Sequence, residues 1–233
     1  MSTRLIYTIG YSGYGNNPDL LIAELEKRNI NVLIDVRSNP YSAQFNNFNK
    51  EKFEKILALR GIKYRNYAEY FGAKQDNPAF YSKFDGKDSR IDYDIFTKSE
   101  QFKKGVDNMI TILEHGFIPV IMCSEKDPIN CHRAIMVARF LYHDYEFSIK
   151  HIVPEKEDES QGELEKRLVN SLSQEIRKKR KLNMLEQTMK EKLEESESLF
   201  ADKTDNYTKD INNYYRIINS RIGWTREEVL GYK

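Results

Sequence analysis

Short apolar runs alternate with amphipathic stretches along the first two thirds of the chain. Residues 5–9 (LIYTI), 32–36 (VLIDV) and 117–122 (FIPVIM) are nearly continuous apolar runs of strand length, the pattern of strands buried on both faces. Weaker runs at 62–64 and 147–153 predict two more strands. Helical spacing fills the intervals at 18–29, 49–60, 97–115 and 131–143. The first of these has Asn17 placed as its cap and Pro18 in its first turn, while Gly61 and Gly116 stop the second and third. Strands that alternate with helices of this length build βαβ units. The fold expected is α/β: a Rossmann-like, mostly parallel five-strand sheet with helices on both faces, plus a helical C-terminal extension. Residues 72–96 fit no element and read as a long lid-like loop or insertion.

The pattern changes near Pro154. Residues 163–200 contain no Gly or Pro and are dense in Glu and Lys. Their apolar positions (Leu164, Leu168, Leu172, Ile176, then Leu182, Leu185, Met189, Leu193) step mostly by three or four. One or two long amphipathic helices follow, packed as a hairpin or as an intermolecular coil. Residues 210–222 predict a further helix, and Trp224 an anchor for the tail. The chain therefore divides into a catalytic-type core at 1–154 and a charged helical extension at 155–233, which offers a homodimer surface.

Charge narrows the functional classes. Lys and Arg number 37 against 36 Asp and Glu, so no global field recruits nucleic acid, and a phosphate contact must be local. The run Arg177, Lys178, Lys179, Arg180, Lys181 is the strongest local patch. It reads as a solvated helix face or as a contact to a DNA backbone. No apolar run reaches the roughly 18 residues of a membrane helix, so no membrane partner is expected. The opening MSTRLIYTIGYSGYG lacks a signal-type apolar region, and both cysteines sit in one short segment; a cytoplasmic location is expected.

In an open parallel α/β sheet, ligands collect beyond the carboxyl ends of the strands. Four unusual segments follow four of the predicted strands: GYSGYG at 10–15, DVRSNPYSAQF at 35–45, YRNYAEYFG at 64–72 and CSEKDPINCHR at 123–133. Gly10, Tyr11 and Ser12 supply either backbone N–H groups for a phosphate or a tight turn. Asp35 and Arg37 offer a general base with a phosphate-binding cation, or a structural pair holding the loop. Asn39, Tyr41, Gln44 and Phe45 add amides and rings without net charge, which suits a base or sugar. Tyr64, Arg65 and Tyr67 interleave rings with a cation, either to stack an unpaired base or to pack half-buried.

The segment holding Cys123, Glu125, His132 and Arg133 is the most distinctive. With Asn130 as N-cap, Cys131 falls in the first helical turn, where the dipole and His132 depress a thiol pKa. Arg133 is suited to a phosphate or carboxylate. The two cysteines read as nucleophile or as structural residues. Cys123, Cys131 and His132 supply only three zinc donors at an unfamiliar spacing, so no metal and no cofactor is expected. His115, His143 and His151 fall at element ends and read as structural.

Taken together these segments resemble the family called domain of unknown function 488. The matching motifs are TIGYS at 8–12, LIDVRSNPYS at 33–42, GIKY at 61–64, CSE-x-DP-x-x-CHR at 123–133 and the HI pair at 151–152. The resemblance covers residues from about 4 to 154, with Gly72-Ala73 standing where the family has paired glycines. It implies a Rossmann-like α/β core and no established reaction, with members recurring near DNA modification and defence. The leading expectation is thus a DNA glycosylase that removes a modified base in phage defence. Asp35 would position water and stabilise an oxocarbenium-like sugar. Asn39, Tyr41, Gln44 and Phe45 would hold the extruded base, and Arg37, Arg133 and the basic helix would hold flanking phosphates. Two alternatives stand beside it. One is a cysteine-dependent transferase or hydrolase on a small substrate; the other is a non-catalytic nucleotide or nucleic-acid sensor.

Overall fold

A computed structural model describes residues 4–84, 89–178 and 203–231, with the backbone alone described at 176–178 and 203–210. The N-terminal part runs β1 (Leu5–Gly10), α1 (Pro18–Lys27), β2 (Val32–Asp35), α2 (Lys50–Leu59), β3 (Lys63–Asn66) and α3 (Ala68–Phe71). Next come β4 (Tyr81–Lys83), β5 (Ser89–Ile91), α4 (Tyr93–Phe96), α5 (Glu100–Glu114) and β6 (Pro119–Cys123). A π-helical stretch over Arg133–Ala138 leads into α6 (Arg139–Tyr145), followed by β7 (Ser148–Ile152) and β8 (Glu159–Ser160). Among the described residues three helices follow: α7 (Gln161–Lys178), α8 (Lys203–Ile222) and α9 (Arg226–Leu230).

Local chemistry sets the boundaries. Asn17 accepts the N–H of Asp19 and Pro18 takes the first turn of α1, as expected. Ser99, rather than the neighbourhood of Thr97, caps α5 by accepting the N–H of Phe102. Gly61 and Gly116 close α2 and α5 at φ of 71° and 76°, a region L side chains avoid.

The main sheet is mixed α/β, with strand order β3-β2-β6-β1-β7-β8. Its first five strands are parallel, and β8 joins β7 antiparallel. The sheet therefore has six strands and not five. The additional strand is two residues long and carries no apolar pattern to announce it. The stretch expected to be a loop at 72–96 instead holds the antiparallel ribbon β4-β5 and the short helix α4.

Strand side chains alternate between two cores. Ile6, Val32, Ile34, Ile121 and Cys123 face one, with α5, the π-helical stretch, α6, α7 and α8. Ile9, Leu33, Val120 and Met122 face the other, covered by α1 and α2. Leu168 and Leu172 of α7 and Ile211, Tyr214, Tyr215, Ile217 and Ile218 of α8 belong to the first core. Packing thus crosses the compositional change at Pro154, and the chain's own sheet provides a surface for the amphipathic stripe; Leu182, Leu185, Met189 and Leu193 lie outside the described residues. Trp224 fastens the tail through its backbone, its carbonyl accepting the N–H of Ile91 at 3.0 Å, while its ring stays 39% exposed beneath Lys74. Among the described residues no helix is long and apolar enough to cross a membrane.

Candidate functional site

The strand ends that carry the four distinctive segments stand side by side. Gly10 pairs with Cys123, and Asp35 pairs with Met122 and Asn66. That register has a consequence for chemistry. Asp35 shares the side of Met122, so Asp35 and Cys123, on adjacent strands, point to opposite faces of the sheet. The four segments meet at one edge, but their side chains form two separate groups.

On one face, Asp35 is fully buried and Arg37 is 3% exposed. The guanidinium reaches both carboxylate oxygens, at 2.9 Å to Oδ1 and 2.6 Å to Oδ2, and also donates to the carbonyl of Phe48. The backbone N–H of Arg37 donates to Oδ1, and the Tyr64 hydroxyl to Oδ2 at 2.6 Å. Tyr11 stacks on Phe48 and lies under the Arg37 guanidinium, 5.0 Å from ring centroid to Cζ. This carboxylate has no exposure and no lone pair to spare. It clamps β2, β3 and the loop after β2. Tyr64 serves the clamp, and Tyr67 is 7% exposed in the opposite core.

The glycine segment also serves the fold. A Cβ on Gly10 would lie 1.8 Å from the carbonyl oxygen of Glu125, and Ser12 spends its N–H on the carbonyl of Ser124 at 3.0 Å. The close approach that requires glycine is made by the loop after β6. Asn39, Tyr41, Gln44 and Arg65 are exposed and Phe45 is half-buried. Tyr41 donates to Glu51 at 2.5 Å, and Arg65 to the carbonyl of Tyr64. Arg177 and Lys178 end α7 without described side chains, and Lys179, Arg180 and Lys181 lie outside the described residues.

On the other face the Cys–His–Arg segment folds onto itself. Cys123 is the last residue of β6, 3% exposed. Asp127, not Asn130, caps the turn that follows, accepting the N–H of Ile129. Cys131 is extended and its carbonyl accepts the N–H groups of Ala134 and Ile135, so it stands at the mouth of the helix rather than within its first turn. The six residues from Arg133 to Ala138 then run as a π-helix, a rare geometry that concentrates at functional sites.

These turns bring the Sγ atoms of Cys123 and Cys131 and a ring nitrogen of His132 within 4.8 Å of one another. Nδ1 of His132 lies 3.7 Å from Cys123 Sγ, and Oε2 of Glu125 lies 3.5 Å from the same sulfur. Nε2 of His132 sits 3.1 Å from the carbonyl of Val36. A carbonyl only accepts, so Nε2 carries a proton and Nδ1 is aimed at the sulfurs. Arg133 is fully buried and donates to the carbonyls of Glu125 and Lys126. It holds the loop that carries Glu125.

The electrostatics separate the two thiols. Burial alone would push the Cys131 thiol up, but the hydrogen bond from Cys123, the charge of Arg133 and the ring of His132 outweigh it and hold Cys131 well below the usual thiol range. Burial, the hydrogen bond to Cys131 and the charge of Cys131 push Cys123 well above it. The two neighbouring sulfurs are thus shifted in opposite directions.

Fold and site together define a mixed α/β protein with a buried cysteine–histidine cluster at the carboxyl edge of its parallel strands. The chain belongs to the family described as domain of unknown function DUF488, whose model matches residues 18–141, more than half of the 233 residues. No curated protein and no solved structure matches it. Two features escaped the sequence reading. One is the Val36 carbonyl that orients His132, a backbone atom that no residue type signals. The other is a buried polar chain from Thr8 through His151 and Gln161 to Tyr215.

Proposed function

We propose that this protein is a cysteine-dependent enzyme whose working group is the Cys131 thiolate, carrying out hydrolysis or group transfer on a small substrate. The observation that carries the reading is the paired arrangement of Cys123 and Cys131 with His132 and Arg133, which stabilises one sulfur as its anion. A thiolate is the form in which cysteine reacts or binds metal. A Rossmann-like reading of the sheet agrees with the placement, because such sheets gather ligands beyond their carboxyl ends. Base excision asks Asp35 to activate water, and the Arg37–Tyr64 clamp leaves that carboxylate engaged.

The test follows labelling of each cysteine by a small alkylating agent across pH, read by mass spectrometry on chelator-treated protein. Cys131 is expected to label faster than Cys123 at neutral pH, with a midpoint below that of an ordinary thiol. Small molecules that slow the labelling then identify the substrate class. Equal and slow labelling of both cysteines until alkaline pH would overturn the proposal.

A further inference from the structure

We infer that Cys123, Cys131 and His132 form a three-donor site for a zinc-class divalent ion, with Glu125 beside the fourth position. The inference rests on the proposed cysteine-dependent function and gives Cys131 its task there, as a ligand.

Spacing is the first support. Zinc–sulfur and zinc–nitrogen bonds of about 2.3 and 2.05 Å at tetrahedral angles place a thiolate and an imidazole nitrogen about 3.6 Å apart. Cys123 Sγ and His132 Nδ1 are 3.7 Å apart, and the second sulfur lies within 4.8 Å of both. Donor type is the second support, since thiolate with imidazole is the set that selects zinc over the hard cations.

Orientation is the third. A metal-binding histidine characteristically spends its other ring nitrogen on a carbonyl or carboxylate, which fixes the ring. His132 does so through Nε2 on Val36, leaving Nδ1 for the metal. All three donors are buried and set on a strand end and a helix mouth, so the site is formed before the ion arrives.

Unspent polar atoms are the fourth support. The Tyr93 hydroxyl and Nε of Arg133 are buried and make no hydrogen bond among the described residues. Both are donors near the three ligands: Arg133 follows His132 in the chain, and Tyr93 belongs to the core cluster that holds Cys123 and Cys131. Water bound at the fourth position is acidified by the metal. It would pass a proton to Glu125 while its oxygen adds to an electrophilic carbon of a small substrate. The proton then leaves with the departing group, so one water is consumed and one bond is broken.

The experiment removes metal from the full chain with a chelator and titrates it with zinc and with cobalt(II). One ion per chain is expected. Cobalt should give thiolate charge-transfer bands with the intense visible bands of a tetrahedral site, and zinc should protect both cysteines from alkylation. Cys123→Ser, Cys131→Ser and His132→Ala should lose the ion, whereas His115→Gln, at an exposed histidine, should keep it. Where a serine variant fails to fold, protection of wild-type cysteines by zinc decides the question. No protection, or only the weak bands of octahedral cobalt, overturns the inference. The two proposals fail separately: fast Cys131 labelling in chelated protein that zinc leaves unchanged removes the metal and keeps the thiolate.

Discussion

His151 donates through Nε2 to Oε1 of Gln161 at 2.9 Å, and its Nδ1 accepts the hydroxyl of Thr8 at 2.8 Å. Strand β7 is thereby tied to β1 and to the first residue of α7 by one fully buried neutral ring. Burial, with the charge of Arg133 adding to it, lowers the His151 pKa from 6.5 to about 3. In the unfolded chain the ring takes a proton below its ordinary value, whereas in the folded chain it stays neutral until about 3. The unfolded state therefore binds more protons throughout that window, and stability falls as pH drops through it. The loss relative to neutral pH is about 2 kcal/mol at roughly pH 5. Urea midpoints for the wild type and His151→Asn check this. The stability gap between them should narrow by about that amount between neutral pH and pH 5, and parallel pH profiles would refute it.

The same polar chain continues into the C-terminal helices. Gln161 donates through Nε2 to the Tyr215 hydroxyl at 2.7 Å, and that hydroxyl donates to Glu165 at 2.8 Å. Tyr215→Phe keeps the packing but leaves a buried amide and a buried carboxylate short of a partner. A cost of about 1–3 kcal/mol is expected. Combined with His151→Asn, it should show a coupling of at least about 0.5 kcal/mol, as members of one network do. Additive losses in a double-mutant cycle would show the tail and the sheet to be independent.

Asp35 supplies a contrast between stability and chemistry. Removing one partner of a buried ion pair strands the other, at about 3–5 kcal/mol. Asp35→Ala is expected to lose stability in that range in urea unfolding. Because Asp35 and Cys123 face opposite sides of the sheet, the labelling rate of Cys131 in the folded variant should match the wild type. A variant that keeps its stability, or one that stays folded and loses the reactive thiol, would contradict this division.

Much of this was legible in the residues, and the reasons for the exceptions are physical. The runs LIYTI, VLIDV and FIPVIM lie on strands of the parallel sheet because buried strands must be apolar on both faces. Strand β8 escaped because Glu159–Ser160 is held by two backbone partners and not by burial. The separation of the candidate residues into two groups escaped for a subtler reason. Asp35 and Cys123 both end apolar strands, but which face each occupies depends on register, and a shift of one residue exchanges the faces. Nothing in either segment alone states that Asp35 pairs with Met122 and not with Cys123.

Gly10 joins the fold to the site and gives the sharpest mutational test. The Cβ of Gly10→Ala would meet the Glu125 carbonyl, and Nη2 of Arg133 lies 3.1 Å away on another side. Both neighbours are fixed, since Arg133 is fully buried and itself bonded to that carbonyl at 2.6 Å. Relief requires the loop after β6 to move, which is overpacking at about 1–3 kcal/mol. Moving the loop shifts Glu125 and loosens Arg133, one of the groups that hold the Cys131 thiolate. Gly10→Ala should therefore raise the labelling midpoint of Cys131 toward that of Cys123 as well as lowering the urea midpoint. Gly15→Ala serves as the comparison: its φ of 59° is strained for alanine, but its Cβ would have no neighbour within 4 Å. It should cost stability and leave the labelling profile unchanged; equal profiles in all three proteins would separate the Gly10 contact from the thiolate.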